Sequence, residues 1–226
     1  MPIEAVIFDL DGTLTNFNLD FKTLRAEVRS YLMRMGVPAS VLNVNESIFE
    51  MLKKTEIFVK NNGKPAVTFV EVRIQVMAIA EKYEMEAAST TSLMPGANET
   101  LKELKRMNLK IGLCTASSER AANYILKRFK KVDYFQIVVA RDRVKYVKPH
   151  TEQFEVALKG VGASPQTAII VGDSIVDMQS AKELKVIAVG LPKGTSTMEQ
   201  LTNSGANYII TSLVDLPTLI KKINEN

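Results

Sequence analysis

Asp9 and Asp11 stand one residue apart at the end of an apolar run, in the stretch Val6 to Leu14 that reads VIFDLDGTL. Carboxylates crowded at the end of a buried strand are costly unless a positive group sits among them. Other apolar runs end in polar groups that suit the same site. LKIGLCT, Leu109 to Thr115, is followed by Ala116, Ser117 and Ser118. FQIVVA, Phe135 to Ala140, leads to a loop carrying Lys148 before Pro149, and AIIVGD, Ala168 to Asp173, is followed by Ser174 and Asp177. Hard oxygen donors without imidazole or thiolate suit Mg²⁺, which takes one or two carboxylates, waters and a phosphate oxygen. With Mg²⁺ and the Lys148 ammonium present, a dianionic phosphate can enter and an aspartate can attack phosphorus to form an aspartyl phosphate. Hydroxyls and backbone amides at the start of the following helix are expected to hold the other phosphate oxygens.

Residues this far apart in the chain converge at the carboxyl ends of strands in an open parallel α/β sheet. Six β-branched, near-continuous apolar runs fit such strands: Ile3 to Asp9, Leu109 to Thr115, Phe135 to Ala140, Ala168 to Asp173, Val186 to Gly190 and Asn207 to Thr211. Amphipathic helical patterns lie between the later ones, beginning at Ala97, Ser118, Thr151, Ser174 and Ser212. Alternation of strand and helix from about Pro95 onward argues for a parallel sheet with right-handed crossovers.

The region from Thr15 to Ser92 breaks that rhythm. It carries three long helical patterns, roughly Asp20 to Met35, Ala39 to Lys60 and Ala66 to Ala87, separated by MGVPAS and NNGKPA, whose Gly and Pro stop and restart helices. The expected organisation is a core of residues 1–14 and 93–226 with a helical insert of residues 15–92, and TNFN and STTSLMPGA are the expected hinges.

Composition narrows the class. The chain has 226 residues, 46% hydrophobic, and a formal net charge of +4 spread among mixed Lys, Arg, Glu and Asp, which argues for a folded protein without a nucleic-acid-binding block. One cysteine, Cys114, excludes an internal disulfide framework, and the single His150 argues against an imidazole metal site. The N-terminus reads as a strand and not as a signal peptide, and no apolar run approaches the ~20 residues that span a bilayer. A cytoplasmic protein without membrane partners, a monomer or homodimer, is the expectation.

DLDGTLT (Asp9 to Thr15), LCTAS (Leu113 to Ser117), VKP (Val147 to Pro149) and VGDSIVD (Val171 to Asp177) resemble the four motifs of the haloacid dehalogenase superfamily, in their usual order. The insert resembles the cap of its phosphoglycolate phosphatase and β-phosphoglucomutase branch. The resemblance implies a Rossmann-like α/β parallel-sheet core with an inserted α-helical cap domain. It implies that Asp9 is the nucleophile, and that Asp11 is the acid that protonates the leaving oxygen and then the base that activates water. Thr115 would hydrogen-bond the transferring phosphoryl group and Lys148 would pair with that group and with Asp9. Gly12, Ala116 and Ser117 would complete the phosphate-binding set. Mg²⁺ would be held by Asp9, the Asp11 carbonyl and Asp173, with Asp177 orienting it or its waters.

The implied activity is that of a Mg²⁺-dependent phosphatase acting on a small phosphorylated metabolite, such as phosphoglycolate, a sugar phosphate or a nucleotide. Asp11 argues against a true dehalogenase, whose chemistry needs no leaving-group acid. A β-phosphoglucomutase-like sugar phosphomutase is the alternative, because CTAS resembles the Ser-Ala-Ser pattern of those enzymes; Asp177 is the more phosphatase-like feature. A non-catalytic phosphate-binding protein of the same fold is a third reading. Taken singly, DGT reads as a tight turn and GDS as a helix cap. Cys114 reads as a core residue and His150 as a loop or helix-start residue. Met33, Met51, Met77 and Met85 read as core of the insert, and Arg25 and Arg29 as solvated or paired with carboxylates.

Overall fold

The computed structural model describes residues 1–16, 18–63 and 66–225. Phe17 of the expected hinge TNFN, and Lys64 and Pro65 of NNGKPA, lie outside the described residues. The chain divides into two units, one of Met1–Phe17 with Thr90–Asn226 and one of Asn18–Ser89.

The first unit is built on a six-stranded parallel sheet. Its strands are β1 (Ala5–Phe8), β2 (Lys110–Cys114), β3 (Ile137–Val139), β4 (Ala168–Gly172), β5 (Ile187–Gly190) and β6 (Tyr208–Ile209). Their order is β3-β2-β1-β4-β5-β6 and every pairing is parallel. All six expected strands are present. The central ones are buried on both faces, which is why their sequences are apolar throughout and do not alternate.

Strand order reverses at β1, which pairs with β2 on one side and β4 on the other, with Phe8 level with Leu113 and Val171. Ligands of open α/β sheets bind at such a reversal, beyond the carboxyl ends. Asp9, Thr115 and Asp173 therefore leave the sheet side by side.

Helices α1 (Phe21–Arg34), α2 (Ile48–Asn61) and most of α3 (Ala66–Thr90) belong to the second unit. Those of the first are α4 (Ala97–Arg106), α5 (Glu119–Arg128), α6 (Glu152–Val161), α7 (Ile175–Leu184), α8 (Met198–Ser204) and α9 (Leu216–Glu225). One face of the sheet buries Ala5, Ile7, Ile170 and Ala188 against Phe154 and Leu158 of α6, Met178 and Ala181 of α7 and Leu201 of α8. Helix α8 has no counterpart among the sequence expectations. It is under two full turns in pattern, and it starts from a capping box in which Thr197 and Gln200 satisfy each other's amides.

The second unit holds α1 (Phe21–Arg34), α2 (Ile48–Asn61) and most of α3 (Ala66–Thr90) around Leu24, Val28, Leu32, Met51, Val72 and Val76. Asp20 caps α1 by accepting the Thr23 amide at 3.0 Å. Helix α2 begins well after the expected Ala39. Residues Ala39–Val41 form only a 3-10 turn, and the Ser47–Glu50 capping box sets the true start. Asn43 accepts the Asn45 amide at 2.9 Å, a local side-chain bond that competes with helix continuation. Arg29 and Arg25 donate to backbone carbonyls of this loop, at Leu42, Ala39 and Asn45, and so pair with main chain and not with carboxylates. Met51 is buried, but Met33 is 40% exposed and is not core.

Among the described residues, no helix is long and apolar enough to cross a membrane.

Candidate active site

Asp9 follows β1 directly, and its amide donates to the Val171 carbonyl at 2.9 Å. That bond holds it between β1 and β4. Its Oδ1 accepts from Lys148 Nζ at 2.6 Å, and the same ammonium donates to Asp177 Oδ1 at 2.6 Å and to the Cys114 carbonyl at 3.4 Å. All three charged side chains are almost wholly buried. The Lys148 ammonium is thus the first positive group among the carboxylates.

One cation does not balance the cluster. Burial pushes the Asp9 carboxyl well above the usual carboxylate range; Lys148 opposes this, and the charges of Asp177, Asp173 and Asp11 add to it. Asp173 is pushed up to about 6, by burial first and then by Asp177, against the Thr195 amide and Lys148. Burial works against the Lys148 ammonium too, but Asp177 and Asp9 outweigh it and its pKa is raised.

Asp9, Asp173 and Asp177 each offer a carboxylate oxygen within 4.8 Å of the others. Among the described residues, no donor reaches Asp9 Oδ2 or the Asp11 carbonyl. An all-oxygen set with this excess of negative charge fits a hard divalent cation. Asp177 is engaged at both of its oxygens. Its Oδ1 takes Lys148, and its Oδ2 accepts the Ser174 amide at 3.2 Å and the Ser174 hydroxyl, closing the cap of α7.

Asp11 faces elsewhere. Its Oδ2 accepts from Ser117 Oγ at 2.7 Å and Thr115 Oγ1 at 3.3 Å, so its carboxyl belongs with the loop after β2 and not with the acidic triad. Burial raises its pKa against those two hydrogen bonds and the Lys148 charge. The turn that carries Asp11 closes on the Leu10 carbonyl, which accepts the Leu14 and Thr15 amides, both at 2.9 Å. Gly12 sits in this turn at φ +90°, and a Cβ there would lie 2.6 Å from Asp173 Oδ2. Glycine is needed at that position on both counts.

The loop after β2 is more occupied than expected. The Ser117 amide donates to Thr115 Oγ1 at 3.0 Å, the Glu119 amide to Asp142 at 2.6 Å and the Ala121 amide to Ser118 Oγ at 3.2 Å. Amides at the start of α5 are therefore engaged within the protein. Ala116 lies between Thr115 and Ser117, and its carbonyl accepts from Arg141 at 3.4 Å.

Two further residues touch this group and escaped the sequence reading. Thr195 donates its amide to Asp173 Oδ2 at 2.8 Å and its hydroxyl at 3.2 Å, opposite Thr13, whose hydroxyl reaches Asp173 Oδ1 at 3.2 Å. Gln153 bonds the Lys148 amide and the Thr115 carbonyl. Thr195 lies in GLPKGTST, which reads as a plain loop, and Gln153 lies in an amphipathic helix pattern where its only signal is a polar residue beside Phe154 on the buried face. Cys114 is buried as expected, and His150 is an exposed loop residue whose Nδ1 accepts the Glu152 amide at 3.2 Å.

A family model described as haloacid dehalogenase-like hydrolase matches residues 6–191, the span from β1 to the end of β5. The chain belongs to this family. It is 30% identical over 244 residues to a phosphoglycolate phosphatase of Shigella dysenteriae, covering 99% of this chain and 95% of that protein. It is 27% identical over 234 residues to the pyrophosphatase PpaX of Bacillus mycoides, covering 99% and 100%. A hydrolase structure from Pseudomonas syringae matches at 26% identity with a TM-score of 0.68, covering 97% of this chain and 99% of that one. The chain is a phosphatase enzyme of the haloacid dehalogenase-like hydrolases, in their phosphoglycolate phosphatase-like branch.

Proposed function

We propose that this phosphatase hydrolyses the phosphomonoester of a small metabolite through an aspartyl phosphate on Asp9, with Asp11 as acid and then base and with Mg²⁺ as cofactor. The observation that carries the reading is the different setting of the two aspartates. Asp9 is ion-paired to Lys148 at 2.6 Å, which opposes the burial that raises its pKa and, together with the charge a bound cation would add, favours the ionised form a nucleophile needs. Asp11 is buried against hydroxyls with a raised pKa, which favours the protonated form an acid needs.

A carboxylate oxygen of Asp9 attacks phosphorus, the bond to the ester oxygen breaks, and that oxygen takes the Asp11 proton. Water then attacks the aspartyl phosphate while Asp11 removes its proton, releasing inorganic phosphate and restoring both carboxyls. Lys148 stays between Asp9 and Asp177 throughout and neutralises charge on the transferring group. The Thr115 and Ser117 hydroxyls orient Asp11 and are near enough to its carboxyl to share its proton network, and the Ala116 amide lies between them. Asp9, the Asp11 carbonyl and Asp173 would hold Mg²⁺, with Asp177 positioning Lys148 and the start of α7. When bound, Mg²⁺ supplies the positive charge that lets a dianionic phosphate enter beside ionised carboxylates.

Phosphoglycolate, pyrophosphate and sugar phosphates belong in the first substrate panel.

The test is inorganic phosphate release with and without Mg²⁺ by the wild type and Asp9→Asn. Release that needs the metal and falls by about 10³-fold or more in the variant is the expected result. Unchanged turnover in the variant overturns the mechanism. Recovery of an isomeric sugar phosphate in place of inorganic phosphate overturns hydrolysis in favour of a phosphomutase.

A further inference from the structure

Gln153 is wholly buried in the first turn of α6, five residues after Lys148. Its Oε1 accepts the Lys148 amide at 3.1 Å, while its Nε2 donates to the Thr115 carbonyl at 2.9 Å and to the Val139 carbonyl at 3.3 Å. Its own backbone carbonyl accepts from Cys114 Sγ at 3.3 Å. One side chain therefore joins the loop carrying Lys148 to the ends of β2 and β3.

The orientation of the amide is dictated by its partners. A backbone N–H only donates and carbonyls only accept, so a flipped amide would face repulsion at every contact. The Val139 carbonyl has a second donor, the Thr115 amide at 3.1 Å, whereas the Lys148 amide depends on Gln153. Lys148 Nζ reaches back to the Cys114 carbonyl at 3.4 Å, so Lys148 and the end of β2 are linked twice, by backbone through Gln153 and by side chain directly. A buried, fully satisfied polar group of this kind specifies geometry more than it adds stability.

We propose that Gln153 is a positioning residue that fixes the Lys148 backbone relative to Thr115, so that the ammonium meets Asp9 and the phosphoryl group in register. The proposal rests on the phosphatase reading above. Gln153 itself touches no reacting atom. Displacements of about 1 Å in such groups cost on the order of 10²-fold in rate.

The test compares Q153M, which fills the volume without hydrogen bonds, with Q153E. In Q153E the carboxyl, when protonated, keeps the acceptor for Lys148 and one donor for Thr115; when ionised it faces two carbonyls. The expected result is a kcat for Q153M lowered about 10- to 100-fold with native circular dichroism. The Q153E rate, divided by the wild-type rate at each pH, should rise as pH falls. A purely structural role predicts a ratio that only follows the folded fraction, which circular dichroism reads at each pH. Wild-type kcat in Q153M, or a pH-independent Q153E ratio, overturns the proposal; if Q153M does not fold, the Q153E ratio decides alone.

Should the wild type release phosphate from no ester, the phosphatase reading fails separately. Gln153 is then judged by the rise in melting temperature that inorganic phosphate gives with Mg²⁺ present. Loss of that rise in both K148A and Q153E at neutral pH supports the positioning role, and an undiminished rise in Q153E overturns it.

Discussion

Asp9 and Asp11 are separated by one residue yet work against different backgrounds, and the difference is measurable. Asp11→Asn keeps the hydrogen bonds to Ser117 and Thr115 in outline but has no proton to give, so phosphate release should fall by about 10²- to 10⁴-fold, as checked by steady-state rates. Esters with good leaving groups need less acid assistance and should lose less in the first step. The raised pKa values have a consequence for folding as well. Asp173 titrates near 6 in the folded chain, above the ~3.9 of an unfolded aspartate, so the native state binds its proton more tightly. The stability this gives is present below about pH 4 and is lost as pH rises through 6, a loss of roughly 3 kcal/mol for this one group. Asp9 and Asp11 act in the same direction. Chelated protein should therefore melt at a higher temperature at pH 5 than at pH 7.5, and Mg²⁺ should narrow the gap; calorimetry at the two pH values reads this directly. A melting temperature that rises from pH 5 to 7.5 without metal would contradict the charge imbalance.

Elements matter because they bring these side chains to one edge. Asp173 leaves β4 under the turn of Gly12 and against Gly194, where a Cβ would lie 1.8 Å from its Oδ2. Gly194→Ala must push this carboxylate or the loop away, so Mg²⁺ affinity should drop about 10- to 100-fold, as measured by metal titration of activity. Strand ends were legible in the sequence because a strand buried on both faces has to be apolar throughout, and the first polar residue marks where it leaves the core. That is why Asp9, Thr115 and Asp173 stand out. Gln153 does not, because a polar residue within a helix pattern is ordinary until its face is known to be buried. Thr195 was hidden for the opposite reason: its loop, LPKGTST, mixes Pro, Gly, Ser and Thr and carries no periodicity. The late start of α2 turned on the Ser47–Glu50 capping box, a local signal that the longer apolar pattern from Ala39 masks.

At the scale of the molecule, the reacting groups and the second unit's core are made by different parts of the chain. Leu32→Ala opens a cavity among Leu24, Val28, Met51 and Val76, and should lower stability by about 2–5 kcal/mol while leaving the Mg²⁺-dependent rise in melting temperature in place. Loss of that rise would mean that the two units do not behave separately. A last consequence lies in Cys114, the one cysteine of the chain, sealed from solvent immediately before Thr115 with a thiol that burial makes hard to ionise. It is a built-in reporter. An aromatic disulfide reagent should label it only as fast as the end of β2 opens, so the labelling half-time becomes a clock for breathing of the catalytic edge, read in the unaltered protein without dye or engineered tag.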